Sequence, residues 1–256
     1  MLPNRYQLLA QLGAGRDGTA YRALDRLTDR PVELWILNRT PDDPWRWPSV
    51  RKRLRLAKAL DHPTARRVFE AFLDEQPPWL VLETWDASTL EETCAAARPA
   101  ADEALRLGWE LIDALAAAHR LGLAHGGLSP RRVWRPISGG LKLDFAGLDV
   151  LGQPNLAVDF AHPADDLSAW AKLVAWLLSR PTEGAVGGAG AGAERGPTRG
   201  SVPDPAQVEA LEELLGECLS PARADRPSAA EARERLAAIL RPLEAASASL
   251  EQPDAP

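Results

Sequence analysis

Four stretches of the 256-residue chain carry residue types able to handle a phosphorylated ligand. Gly13-Ala14-Gly15-Arg16-Asp17-Gly18 has the spacing Gly-x-Gly-x-x-Gly. Between two strands that spacing either folds over phosphates as a hairpin or simply makes a glycine-rich turn. His125-Gly126-Gly127-Leu128-Ser129-Pro130-Arg131-Arg132 places an imidazole ahead of two glycines. Leu141-Lys142-Leu143-Asp144-Phe145-Ala146-Gly147 ends an apolar run on Asp144, which either holds a divalent cation or is an ordinary strand-end residue. In Val32-Glu33-Leu34-Trp35-Ile36-Leu37, side chains alternate with period two, so Glu33 and Trp35 share one face and Val32, Leu34 and Ile36 take the other. No Asp or Glu occurs between Ala114 and Leu143, which leaves that segment without a carboxylate general base.

The order and spacing of these stretches resemble the bacterial serine/threonine protein kinases over roughly residues 5–240. Two further landmarks carry the resemblance: Leu80-Val81-Leu82-Glu83, similar to a hinge strand, and Asp225-Arg226-Pro227-Ser228-Ala229. The resemblance implies an α+β, two-lobed protein-kinase-like fold. Residues 1–85 form a small lobe with a five-stranded sheet and one helix. Residues 86–240 form a larger helical lobe, and 241–256 a disordered tail.

The resemblance also shows what has been replaced. The phosphate-holding lysine falls at Trp35 and its glutamate partner near Arg53. The catalytic aspartate falls at Gly127, the lysine beside it at Ser129, and the metal-binding asparagine at Arg132. The Asp-Phe-Gly remnant reads in two registers, Asp144-Phe145-Ala146 by identity or Phe145-Ala146-Gly147 by distance from Lys142. Between Phe145 and Asp165 there is no Ser, Thr or Tyr to phosphorylate, and Ala161-His162-Pro163 is the nearest remnant of Ala-Pro-Glu. Two structural anchors remain: Asp166, expected to pin the catalytic loop backbone, and Arg226, whose usual glutamate partner is missing.

The implied function is a catalytically inactive kinase-like domain, a pseudokinase, without cofactor, serving as a regulatory or scaffolding module for a protein partner. In the alternative, the chain is a divergent kinase or an ATP-binding sensor. ATP and magnesium would then bind through Gly13, Gly15, Gly18, Glu83, Arg16 and Asp144. Trp35 either plugs the cleft or lies on the surface after a local twist.

Stepping outward from these residues, helices are expected over 49–60, 101–121, 165–178, 206–219 and 228–240, the last capped by Ser228. Strands are expected over 69–73 and 79–82. Pro181–Pro203, with seven glycines, reads as a flexible loop. Trp45 and Trp47 lie in a Pro-flanked stretch where exposure would suit a partner, and Arg51-Lys52-Arg53 with Arg55 and Lys58 reads as a solvated helix face. Residues 1–85 carry 14 basic against 11 acidic residues and the remainder 16 against 25, giving −6 overall. That balance argues against nucleic acid and anionic membrane as partners. Cys94 and Cys218 lack metal-ligand spacing and suit a reduced, cytoplasmic protein, and no apolar run is long enough to span a membrane.

Overall fold

Strand-forming alternation in the first third of the chain builds one antiparallel sheet. A computed structural model describes residues 4–15, 17–38, 46–147, 161–179 and 204–250. Strands β1 (Tyr6–Gly15), β2 (Gly18–Asp25), β3 (Arg30–Leu37), β4 (Val68–Phe72) and β5 (Trp79–Leu82) pair in the order β1-β2-β3-β5-β4. The β2–β3 turn is organised by Asp25, which accepts from the Leu27 amide and the Thr28 hydroxyl and receives both arms of Arg5 at 2.6–2.7 Å. Arg5 also reaches Glu70 on β4, at 2.7 Å, and so fastens the start of β1 to the opposite edge strand.

The period of two sorts the sheet's side chains into two cores. Val32, Leu34 and Val81 face outward with Tyr6 and Trp79, whose indole stacks on Phe72 at 3.9 Å. Ala20, Trp35, Leu80 and Leu82 face inward, against Val50, Leu54 and Ala57 of helix α1 (Arg46–Ala59). As the alternation requires, Glu33 and Trp35 share one face, here the inner, cleft side, and of the two readings of Trp35 the structure has the buried one, at 2% exposed.

The second lobe contains α2 (Leu90–Ala96), α3 (Ala101–Arg120), α4 (Pro163–Leu178), α5 (Pro205–Cys218) and α6 (Ala229–Leu250). A small sheet of β6 (Ala87–Thr89), β7 (Val133–Pro136) and β8 (Lys142–Leu143) lies beside the cleft. Helix α3 meets α4 closely at Gly108, whose carbonyl accepts from the buried Trp170 indole at 2.8 Å. Ser228 caps α6 as expected: its hydroxyl accepts from the Glu231 amide, and the Glu231 carboxylate accepts from the Ser228 amide. The tail boundary at 241 needs correction, because α6 runs on to Leu250. Residues 243–250 are rich in Ala and Leu, the strongest helix formers, and they carry the helix past Pro242.

The lobes are joined by backbone as well as side chains. The segment after α1 lies along β8, where Leu143 N donates to Thr64 O at 2.7 Å and Arg66 N donates to Leu143 O at 2.8 Å. His62, just before it, meets Asp113 of α3 at 2.9 Å. Among the described residues no helix is long and apolar enough to cross a membrane. The expectations placed on Arg16, Trp45 and Pro181–Pro203 lie outside the described residues.

The glycine spacing forms a hairpin between β1 and β2, the geometry common to both of its readings. Gly13 pairs with Ala20, and Gly15 pairs with Gly18 as the β1–β2 hairpin closes. Gly18 is buried against β3, and a methyl group there would run into the Ile36 carbonyl. Gly18→Ala is therefore expected to cost about 1–3 kcal/mol, read as the same lowering of Tm with and without nucleotide.

Candidate functional site

The cleft lies between β3, the end of β5, the segment 64–66 and the loop 123–132. Its position is set by Glu33, a carboxylate that the β3 alternation turns inward, where it is 7% exposed. A buried carboxylate needs hydrogen bonds and an opposite charge. Glu33 has both: Oε1 accepts from the Trp35 indole N–H, and Oε2 lies 2.7 Å from Arg66 Nη2.

Arg66 is the centre of the cleft. Its Nη1 donates to Asp144 Oδ2 at 3.1 Å and its Nε to the Glu83 carbonyl at 3.0 Å. Its guanidinium carbon sits 5.1 Å from the centre of the Trp35 ring and 4.8 Å from that of Trp85, within cation–π range. Burial pulls the Arg66 pKa down, but Glu33 and Asp144 together hold it above its ordinary value, so the group stays charged. Sequence reasoning missed this residue. The available signal was indirect: an inward carboxylate at 33 requires a cation, and Arg66 stands between the buried Ala65 and Val68 at the entry to β4.

The remaining cleft positions are also engaged by the chain itself. Glu83, read as a cofactor position, accepts from Lys142 Nζ at 2.9 Å and from the Arg67 amide at 3.1 Å. Asp144 turns toward the cleft and accepts from the Ala146 amide at 2.8 Å, while Phe145 is buried edge-on against His125 at 5.3 Å. Of the two registers, Asp144-Phe145-Ala146 is thus the one that brings a carboxylate to the cleft. Gly127 faces the Arg132 side chain, so a guanidinium lies where a longer side chain at 127 would project. Ser129 begins the 130–132 turn and lines a separate groove below the loop, with Asp165 and Trp176. A cavity of about 200 Å³ remains between Arg66, Trp85, Trp134, His125 and Arg132. That is below the roughly 300–1,000 Å³ typical of small-molecule sites.

Arg53, which the resemblance placed at the glutamate-partner position and the basic run placed on a solvated face, follows the first of these. It turns inward, 7% exposed, while Lys52, Arg55 and Lys58 face solvent as expected. Its guanidinium donates to the carbonyls of Ala124, His125 and Ala146 at 2.8, 2.9 and 3.1 Å. Gly147 makes room for it: φ is +67° there, and a methyl group would overlap the guanidinium. Trp47 also departs from an exposed reading, since it packs partly buried against the main core.

Asp166 pins the loop as expected. It accepts from the His125 and Gly126 amides at 2.7 and 2.8 Å and meets His119 Nε2 at 2.9 Å. Burial pushes its pKa up, but the His119 hydrogen bond, His125 and the Gly126 amide outweigh that and hold the carboxyl below its ordinary value. Arg226, lacking a glutamate, donates instead to the Ser220 and Ala164 carbonyls, each at 2.8 Å, and to Asp165 at 3.2 Å. His125 is 4% exposed, and both its ring nitrogens lack a hydrogen-bond partner among the described residues. Burial lowers its pKa to about 4.

No family model matches the chain. Over 150 residues it is 31% identical to the serine/threonine-protein kinase PknL of Mycobacterium tuberculosis strain H37Rv, covering 58% of this chain and 38% of that protein. Over 149 residues it is 27% identical to the serine/threonine-protein kinase PrkC of Bacillus subtilis strain 168, covering 57% of this chain and 23% of that protein. The matched stretch therefore spans well under half of either relative. The kinase domain of M. tuberculosis PknI superposes with a TM-score of 0.65 at 20% identity, covering 93% of this chain and 97% of that one. The chain has the protein-kinase fold, and these sequence relatives are bacterial serine/threonine protein kinases.

Two predictions follow from the loop's ties. Arg53→Leu leaves three inward carbonyls without their donor and is expected to cost at least about 3 kcal/mol in urea unfolding. His125 is buried neutral while the unfolded chain binds a proton near pH 6.5, so its share of stability is intact above that value and lost as pH falls toward 4. That loss is about 3 kcal/mol. His125→Phe should flatten this part of the stability–pH curve, measured by urea unfolding between pH 7 and 4.

Proposed function

We propose that this chain is a catalytically inactive protein-kinase-like domain, working as a regulatory or scaffolding module that binds a protein partner. The observation that carries the reading is the Glu33–Arg66–Asp144 cluster. Phosphoryl transfer depends on positioned cations, a metal ion held by carboxylates, and a base for the acceptor hydroxyl. Here Asp144 pairs with Arg66, a guanidinium stands at 132, and glycine stands at 127. A single carboxylate already paired with Arg66, with a guanidinium at 132, is a donor set that does not fit a magnesium–nucleotide complex.

The alternative, a divergent kinase or ATP-binding sensor, draws on the sequence relatives and on Asp144, which keeps an edge on the remaining cavity. The two readings differ in one measurement. The expected outcome is no change in Tm with ATP, with or without magnesium, and no transfer of labelled phosphate to the chain or to generic substrates. A magnesium-dependent rise in Tm favours the sensor. Transfer that disappears in Asp144→Asn favours the kinase.

A further inference from the structure

The cleft's charged and aromatic groups are arranged around a single planar cation. Two carboxylates, Glu33 and Asp144, flank it at 2.7 and 3.1 Å, the Glu83 carbonyl meets a third edge at 3.0 Å, and two indoles cover it. Glu33 is oriented in turn by the Trp35 indole N–H. Three acceptors each meeting a different nitrogen, with the cation over the faces of two indoles, match the geometry of a guanidinium and not that of a spherical ammonium.

We propose that the cleft of this domain is a guanidinium-binding site, occupied in cis by the chain's own Arg66, which bridges β3, the hinge and Asp144 as a tethered ligand. The site's ligand class is an alkylguanidinium, and Arg66 is its first occupant. The proposal rests on the reading of the cleft as closed to nucleotide, and it goes beyond that reading by naming what the site does recognise. A second guanidinium enters only when Arg66 is absent, because the acceptors are spent on it.

The test removes the tether and supplies the head group. In Arg66→Ala the truncated side chain leaves room for ethylguanidinium, with ethylammonium at the same concentration and ionic strength as the control. Arg66→Ala should melt about 6–15 °C below the parent, because the buried Glu33 and the partly buried Asp144 lose their cation. At roughly 10 Kd, ethylguanidinium should restore about 3–5 °C and shift the tryptophan emission. The ammonium should restore less than a third of that, and the parent should respond to neither. Equal rescue by both cations, or an Arg66→Ala protein as stable as the parent, overturns the proposal.

Should Arg66→Ala not fold even with the probe present, Arg66→Lys decides. It keeps the charge and stem but lacks the fork, and should melt well below the parent; a Tm equal to the parent's overturns the proposal. ATP with magnesium is run on the parent in parallel. A rise in Tm there overturns the closed-cleft reading while leaving the guanidinium comparison intact. Absence of guanidinium rescue with no ATP effect overturns this inference alone.

Discussion

A carboxylate on the inner face of β3 cannot stay buried by itself, and much of the cleft follows from meeting that demand. Both Glu33 oxygens are used, one by the Trp35 indole N–H and one by Arg66. Arg66, once buried, has donors of its own to satisfy, and it finds Asp144 on the other lobe and the Glu83 carbonyl at the hinge. Each member makes the next one tolerable, so the group acts as a unit: complete, it is a satisfied network, while loss of Arg66 leaves both carboxylates without their cation.

A second unit holds the loop 123–132 from two sides. Its amides at His125 and Gly126 point to Asp166, while the carbonyls of Ala124 and His125 accept from Arg53. The loop is thus clamped between a carboxylate on α4 and a guanidinium on α1, one in each lobe. Arg53 also takes the Ala146 carbonyl, so α1 is tied at once to the loop and to the segment after Asp144. Arg53 is thus a cation bonded to three backbone carbonyls, a tie that requires no ligand to complete it.

These ties give the proposed role a physical basis. The two lobes are tied by backbone and side-chain contacts within the chain, and the cleft carboxylates Glu33, Glu83 and Asp144 all have internal partners. A domain closed in this way presents a fixed surface, which suits a binding module.

The two-lobed fold was legible in the sequence because it rests on local signals. Period-two alternation around Trp35, apolar helical spacing over 101–121 and 165–178, the Ser228 cap and the order of the motifs all act over short stretches. That Glu33 and Trp35 share a face was legible for the same reason, while which way that face turns was left to tertiary packing; the pinning role of Asp166 was legible once the resemblance had placed it. What the sequence could not reveal was the choice of partners. Arg53 read as one residue of a basic, solvated helix face, Glu83 as a ligand position and Arg66 as nothing in particular, because a charged residue's neighbours are decided by chain segments far away in sequence. Arg66 and Asp144 are 78 residues apart, and Arg53 and Ala146 are 93. Only folding brings them together, and only the cost of burying an unpaired charge determines that they must meet.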